Sequence, residues 1–221
     1  MRAGRYLKRG IRRAYYETRN AYAIFFLCVA AINLFVPLII LLSWRKNGTS
    51  ANLYSDILQY TQMFLPLFSV LCVSFVLREF VEADGNELLY VCRNRLNLMD
   101  AGAIYLLFMA DVAAVYAGMN RIQPGLWDDW LRLMCVCFFY FGTAYFLLFL
   151  TRGVTVTLLA LVGYTIANIL IRTDTVRYPL YYVWNPDKIP SLTDLYLPLA
   201  MTGLIFLTAG VILNWRRLCF N

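Results

Sequence analysis

The side chains that could carry chemistry are few, and most stand in apolar surroundings. Asp111 lies near the middle of an apolar block, with Ala110, Ala113, Ala114, Ala117 and Gly118 around it. A carboxylate at the centre of a bilayer costs about 2.5–3.5 kcal/mol on insertion scales. It should therefore face protein or water rather than lipid, and the small residues beside it let another helix come close. Asp111 could line a path for a polar substrate, or be a protonated acid bonded to a neighbouring hydroxyl for packing. Asn33 and Asn168 are weaker candidates of the same kind, and Asn168 joins Asp111 in the expected translocation pathway. Asp100, near the end of the same block, sits where a carboxylate is cheap.

Catalysis has little to work with. The chain has no histidine, which removes the commonest zinc ligand and the base of a Ser/His pair. Glu79 and Glu82 are not adjacent and lack the histidine partners of a membrane metalloprotease. No Gly-x-x-x-x-Gly-Lys-Ser/Thr loop is present to cradle a nucleotide phosphate. Cys28, Cys72, Cys92, Cys135, Cys137 and Cys219 read as small apolar filler on or inside the reducing face of a membrane, with no disulfides. The Cys135/Cys137 spacing does not suit a metal. The expectation is a chain with no enzymatic activity, metal or cofactor of its own. Asn47-Gly48-Thr49 is a formal glycosylation acceptor.

The elements that hold these residues follow from composition. Of 221 residues, 61% are apolar and 15% charged, against about 45–50% and roughly 25% in an average soluble domain. The apolar residues fall in six long blocks, and a spanning helix needs about 20 such residues in a row. The blocks run Ala21 to Trp44, Ile57 to Leu77, Met99 to Met119, Trp130 to Leu150, Val154 to Ile171, and Leu195 to Trp215. The expected fold is all-α: a polytopic membrane protein with six transmembrane helices over residues 21–221. Residues 1–20 form a separate interfacial arm. A charged stretch without a cleavage site precedes the first block, which marks a true span and not a removable signal.

Lys and Arg collect in cytosolic loops. With the N-terminus inside, thirteen of the 20 basic residues fall on the cytosolic side and seven outside. Both termini are then cytosolic, in the cell membrane. Trp44, Trp127, Trp130, Trp184 and Trp215 all flank spans, where tryptophan prefers the headgroup region. In the arm, Leu7, Ile11, Ala14 and Tyr15 share one helical face, while Arg9, Arg12 and Arg13 lie opposite with the other basic residues. That pattern fits a helix lying flat on anionic lipid. The net charge of +7 is concentrated there, and it reports lipid contact, not nucleic acid.

The longest cytosolic connection, residues 78–97, holds Arg78, Glu79, Glu82, Gly85, Glu87, Leu88 and Leu89. It turns at Asp84-Gly85-Asn86, and Leu88, Leu89 and Cys92 then suit a short amphipathic helix. Basic elbow, two spans, an Arg-Glu, acidic, Gly, Glu-Leu-Leu segment and four more spans together resemble the type-2 permease family of ABC transporters. Many members carry a proline after the Glu-Leu-Leu stretch, and this chain has none. The resemblance implies an exporter's membrane subunit. Its loop 78–97 would be a coupling helix in a groove of a separate ATPase subunit, which binds ATP and Mg. Glu79, Glu82 and Glu87 would meet basic residues of that partner, with Leu88 and Leu89 in its groove. It also implies a second permease copy, in a homodimer or heterodimer, and re-entrant helices in the outer segment 172–194, where an aromatic run precedes Pro186 and Pro190.

Two other functions fit a polytopic chain. A secondary carrier would show more intramembrane charge and inverted repeats. A non-transporting assembly or interaction protein would need no coupling loop. The substrate is not written in the residue types.

Overall fold

The computed structural model describes residues 19–47, 51–82, 97–121, 124–170 and 191–218. The expected arm with Arg9, Arg12 and Arg13, the stretch with Gly85, Glu87, Leu88 and Leu89, and segment 172–194 up to residue 190 lie outside them. Every regular element among the described residues is helical. In chain order they are α1 (Arg19–Asn47), α2 (Ala51–Glu82), α3 (Asn97–Met119), α4 (Leu126–Thr151), α5 (Val154–Leu170) and α6 (Leu197–Leu218). A π-helical turn, Leu192–Tyr196, leads into α6.

Five of these helices are long and apolar enough to cross a membrane, the build of a membrane-embedded protein. The exception is α5, with 17 residues. At 1.5 Å per residue it is about 25 Å long, short of a hydrocarbon core of about 30 Å. By contrast α2 has 32 residues, about 48 Å, and must protrude. Large apolar side chains face outward where lipid would solvate them, among them Leu34, Leu106, Leu159 and Ile205.

α2 and α4 form the centre. α2 contacts α1, α3, α4 and α5, and α4 packs most extensively on α6. Pro66 inside α2 leaves a carbonyl one turn earlier without its usual donor; such breaks are tolerated where neighbouring helices enclose them, and Pro66 is buried.

The α4–α6 contact depends on missing side chains. A Cβ on Gly142 would collide with the carbonyl of Gly203, and one on Gly203 would lie 2.7 Å from the Phe139 Cα. One on Gly210 would meet the Tyr145 ring at 2.7 Å. Residues 203 to 210 run alongside 139 to 146 in the same direction, so α4 and α6 are parallel. Between membrane helices, where lipid is as apolar as leucine, such close backbone approach is a main source of association.

Candidate functional site

Two ends of the bundle and its middle hold the polar groups. At one end α2 finishes, α3 begins, and α4 turns tightly into α5. The apolar run of α2 ends near Leu77, yet the helix continues to Glu82. Arg78 and Glu82, one turn apart, join through Nε and Oε2 at 3.0 Å, a spacing that supports a helix. Arg78, Glu79 and Glu82 thus stand on the last turn of α2. Phe80 and Val81 between them are buried.

The other oxygen of Glu82 leaves its own helix. Oε1 accepts the backbone N–H of Val154, the first residue of α5, at 2.6 Å. The first N–H groups of a helix have no partner within it, and the positive end of its dipole favours a carboxylate. The turn that delivers Val154 is built by Arg152, at φ 57° and ψ 26°, whose N–H bonds back to the Leu148 carbonyl at 3.0 Å. Left-handed residues end many helices this way, usually as glycine. The Thr157 hydroxyl closes the first turn of α5 on the Gly153 carbonyl at 3.0 Å. Nearby, Asn97 Oδ1 accepts from the Leu98 N–H at 2.7 Å and from the Tyr145 hydroxyl at 3.4 Å, tying α3 to α4.

In the middle of the bundle, Asn33 Nδ2 donates to Asp111 at 2.9 Å (Oδ1) and 3.1 Å (Oδ2), linking α1 to α3. The same nitrogen donates to the Val29 carbonyl at 2.9 Å. Among the described residues, Asp111 therefore meets an amide and not a hydroxyl. It is half-buried, at the edge of a face of α3 on which Leu107, Ala110, Ala114, Ala117 and Gly118 are exposed. Asn168 is placed differently: its amide bonds the Tyr164 carbonyl of its own helix at 2.8 Å.

The opposite end holds a group that residue types alone did not mark. Asp129 is 2% exposed and pairs through Oδ1 with Arg132 Nη1 at 2.7 Å. Burial, and then the Asp129 carboxylate beside it, push the Tyr54 phenol of α2 above its ordinary range. The contact joins the start of α2 to the start of α4. Asp129 Oδ2 and Arg132 Nε have no hydrogen-bond partner among the described residues. The available signal was the Asp129-x-x-Arg132 spacing at the edge of an apolar block, which puts both on one helix face.

Among the described residues no three Cys, Asp or Glu side chains converge as metal ligands would, and Cys28, Cys72, Cys135 and Cys137 are free thiols. No family model, curated protein or solved structure matches the chain.

Proposed function

We propose that this chain is the membrane subunit of an ATP-driven exporter of the ABC type-2 kind, in which a separate ATPase subunit binds ATP and Mg. The observation that carries the reading is the polar last turn of α2, beyond its apolar run, and its bond to α5. A central helix longer than the bilayer, ending in Arg78, Glu79 and Glu82 and joined to a second helix, is what a motor subunit could push. The excess of basic residues on that side makes it the cytosolic face. In this reading α5 is a sixth span, and local thinning of the bilayer accommodates its length.

The coupling segment comprises Arg78, Glu79, Glu82, Gly85, Glu87, Leu88 and Leu89. Asp111 and Asn168 belong to the pathway, and Arg9, Arg12 and Arg13 rest on anionic lipid. A second copy, as homodimer or heterodimer, completes the translocation unit in the cell membrane. The alternative is a carrier with no ATPase, for which the Asn33–Asp111 pair would be the working polar site.

Co-purification in mild detergent tests the proposal. An ATPase subunit should accompany the wild-type chain and be lost from the Glu79→Arg/Glu87→Arg variant. If none accompanies the wild type under any mild condition, the exporter reading falls.

A further inference from the structure

Glu82 is badly placed for its own helix and well placed for another. A carboxylate in the last turn of a helix faces the negative end of the dipole, and one at a helix start faces the positive end. Glu82 is the final residue of α2, and its Oε1 lies 2.6 Å from the first N–H of α5. Arg78 takes the other oxygen at 3.0 Å, which fixes the carboxylate's direction and offsets the adverse dipole. The orientation of this pair, Arg before Glu, is the weaker one for helix stability. Local helix chemistry in α2 therefore does not explain the acid, whereas the contact with α5 does.

α5 is also a helix that can be moved as a unit. Its buried residues form one stripe, Val154, Thr157, Leu161 and Thr165, and Val156, Leu159, Val162, Tyr164 and Ile166 are exposed. Polar bonds from other helices pin it near both ends: Glu82 to Val154, and the Tyr140 hydroxyl to Thr165 Oγ1 at 2.8 Å. A rod held along one stripe and pinned at its ends follows whatever moves the pins. The pin at Val154 is the end of α2, whose last turn is anchored by buried Phe80 and Val81.

We infer that Glu82 is a positioning residue that makes the start of α5 move with the end of α2. Its use in transport rests on the exporter reading, but the joint does not. Helices joined in this way open as one unit, and uncoupled ones open separately.

The test is amide hydrogen exchange on the full chain in lipid nanodiscs, comparing wild type with Glu82→Ala, Glu82→Gln and Arg78→Gln. In the wild type the last turn of α2 and the first turn of α5 should exchange through a shared opening. Glu82→Ala should speed exchange at Val154 at least ~10-fold while residues 78–81 change less than ~2-fold. Glu82→Gln keeps an acceptor oxygen and should fall between, as should Arg78→Gln, which releases the carboxylate's other oxygen. Equal exchange at Val154 in wild type and Glu82→Ala, or independent opening of the two turns in the wild type, would overturn the inference. Neither result depends on an ATPase. Failure of the exporter reading shows separately, as a wild-type chain that purifies without one.

Discussion

The Glu82 carboxylate accepts the Val154 N–H at 2.6 Å across 72 residues of sequence. The acid that ends the central helix thereby caps the start of α5, the shortest α-helix among the described residues. Replacing it removes both a charged acceptor and a favourable dipole contact. Glu82→Ala is expected to lower stability by about 1–2 kcal/mol, seen as a lower unfolding midpoint in detergent. A midpoint equal to wild type would show that water replaces the carboxylate without loss.

Asp111 and Asn33 join α1 to α3. Interhelical hydrogen bonds in membranes average about 0.6 kcal/mol and reach about 1.7. Asp111→Leu should therefore cost about that much, offset in part by cheaper insertion. Asp111→Asn keeps an acceptor for the Asn33 amide and should cost less than the leucine variant. Reversible unfolding in mixed micelles measures both, and the opposite order would mean that an acceptor for the Asn33 amide adds nothing to the contact.

At the far end, Asp129→Ala leaves the Arg132 side chain, 20% exposed, without its partner. Stranding a charge in that environment is expected to cost about 2–3 kcal/mol. The double variant Asp129→Ala/Arg132→Leu should recover at least half of the loss, because the stranded charge is then gone. Thermal unfolding of both variants and of Arg132→Leu alone closes the cycle, and no recovery would mean that the acid acts through Tyr54 instead.

Gly203 sits where a Cβ would press on the Phe139 backbone. Gly203→Leu should force α4 and α6 apart and cost about 2 kcal/mol or more. Gly163, on the exposed side of α5 with nothing within 4 Å of an added Cβ, should accept alanine without loss. Comparing the yield of folded protein from the two variants tests this directly.

Arg152 occupies the left-handed region at φ 57°, which costs an L-residue about 1–2 kcal/mol relative to glycine. Arg152→Gly is expected to raise stability by up to about 1 kcal/mol once the greater freedom of the unfolded chain is included. Arg152→Val should lower it. A lower midpoint for the glycine variant would show that the guanidinium makes a contact worth more than the strain.

The apolar blocks were legible because lipid demands long uninterrupted helices, and α1 to α6 each overlap one of them. Their ends were less so. The apolar run stops at Leu77, but α2 continues to Glu82, whose carboxylate is held by Arg78 and by the Val154 N–H of α5. A π-helical turn begins at Leu192, ahead of the apolar run, because the Ser191 hydroxyl accepts the Asp194 N–H. Asp111 and Asn33 could both be picked out as intramembrane polar residues, yet nothing in residue type says that they meet. Asp129 escaped notice because it sits at the edge of a block, where acids are ordinary until tertiary packing buries them. Gly142, Gly203 and Gly210 carry no signal alone; their role exists only once α4 and α6 are side by side. The partner of Glu82 was unreadable for the same reason, since a backbone N–H is common to nearly every residue.

The most direct measurement is ATP hydrolysis in material eluted with the tagged full chain from its native membranes in mild detergent. The expected result is Mg-dependent hydrolysis that co-elutes with the chain and disappears with the Glu79→Arg/Glu87→Arg variant. A wild-type chain that elutes folded, with no associated ATPase and no hydrolysis, would contradict the exporter assignment.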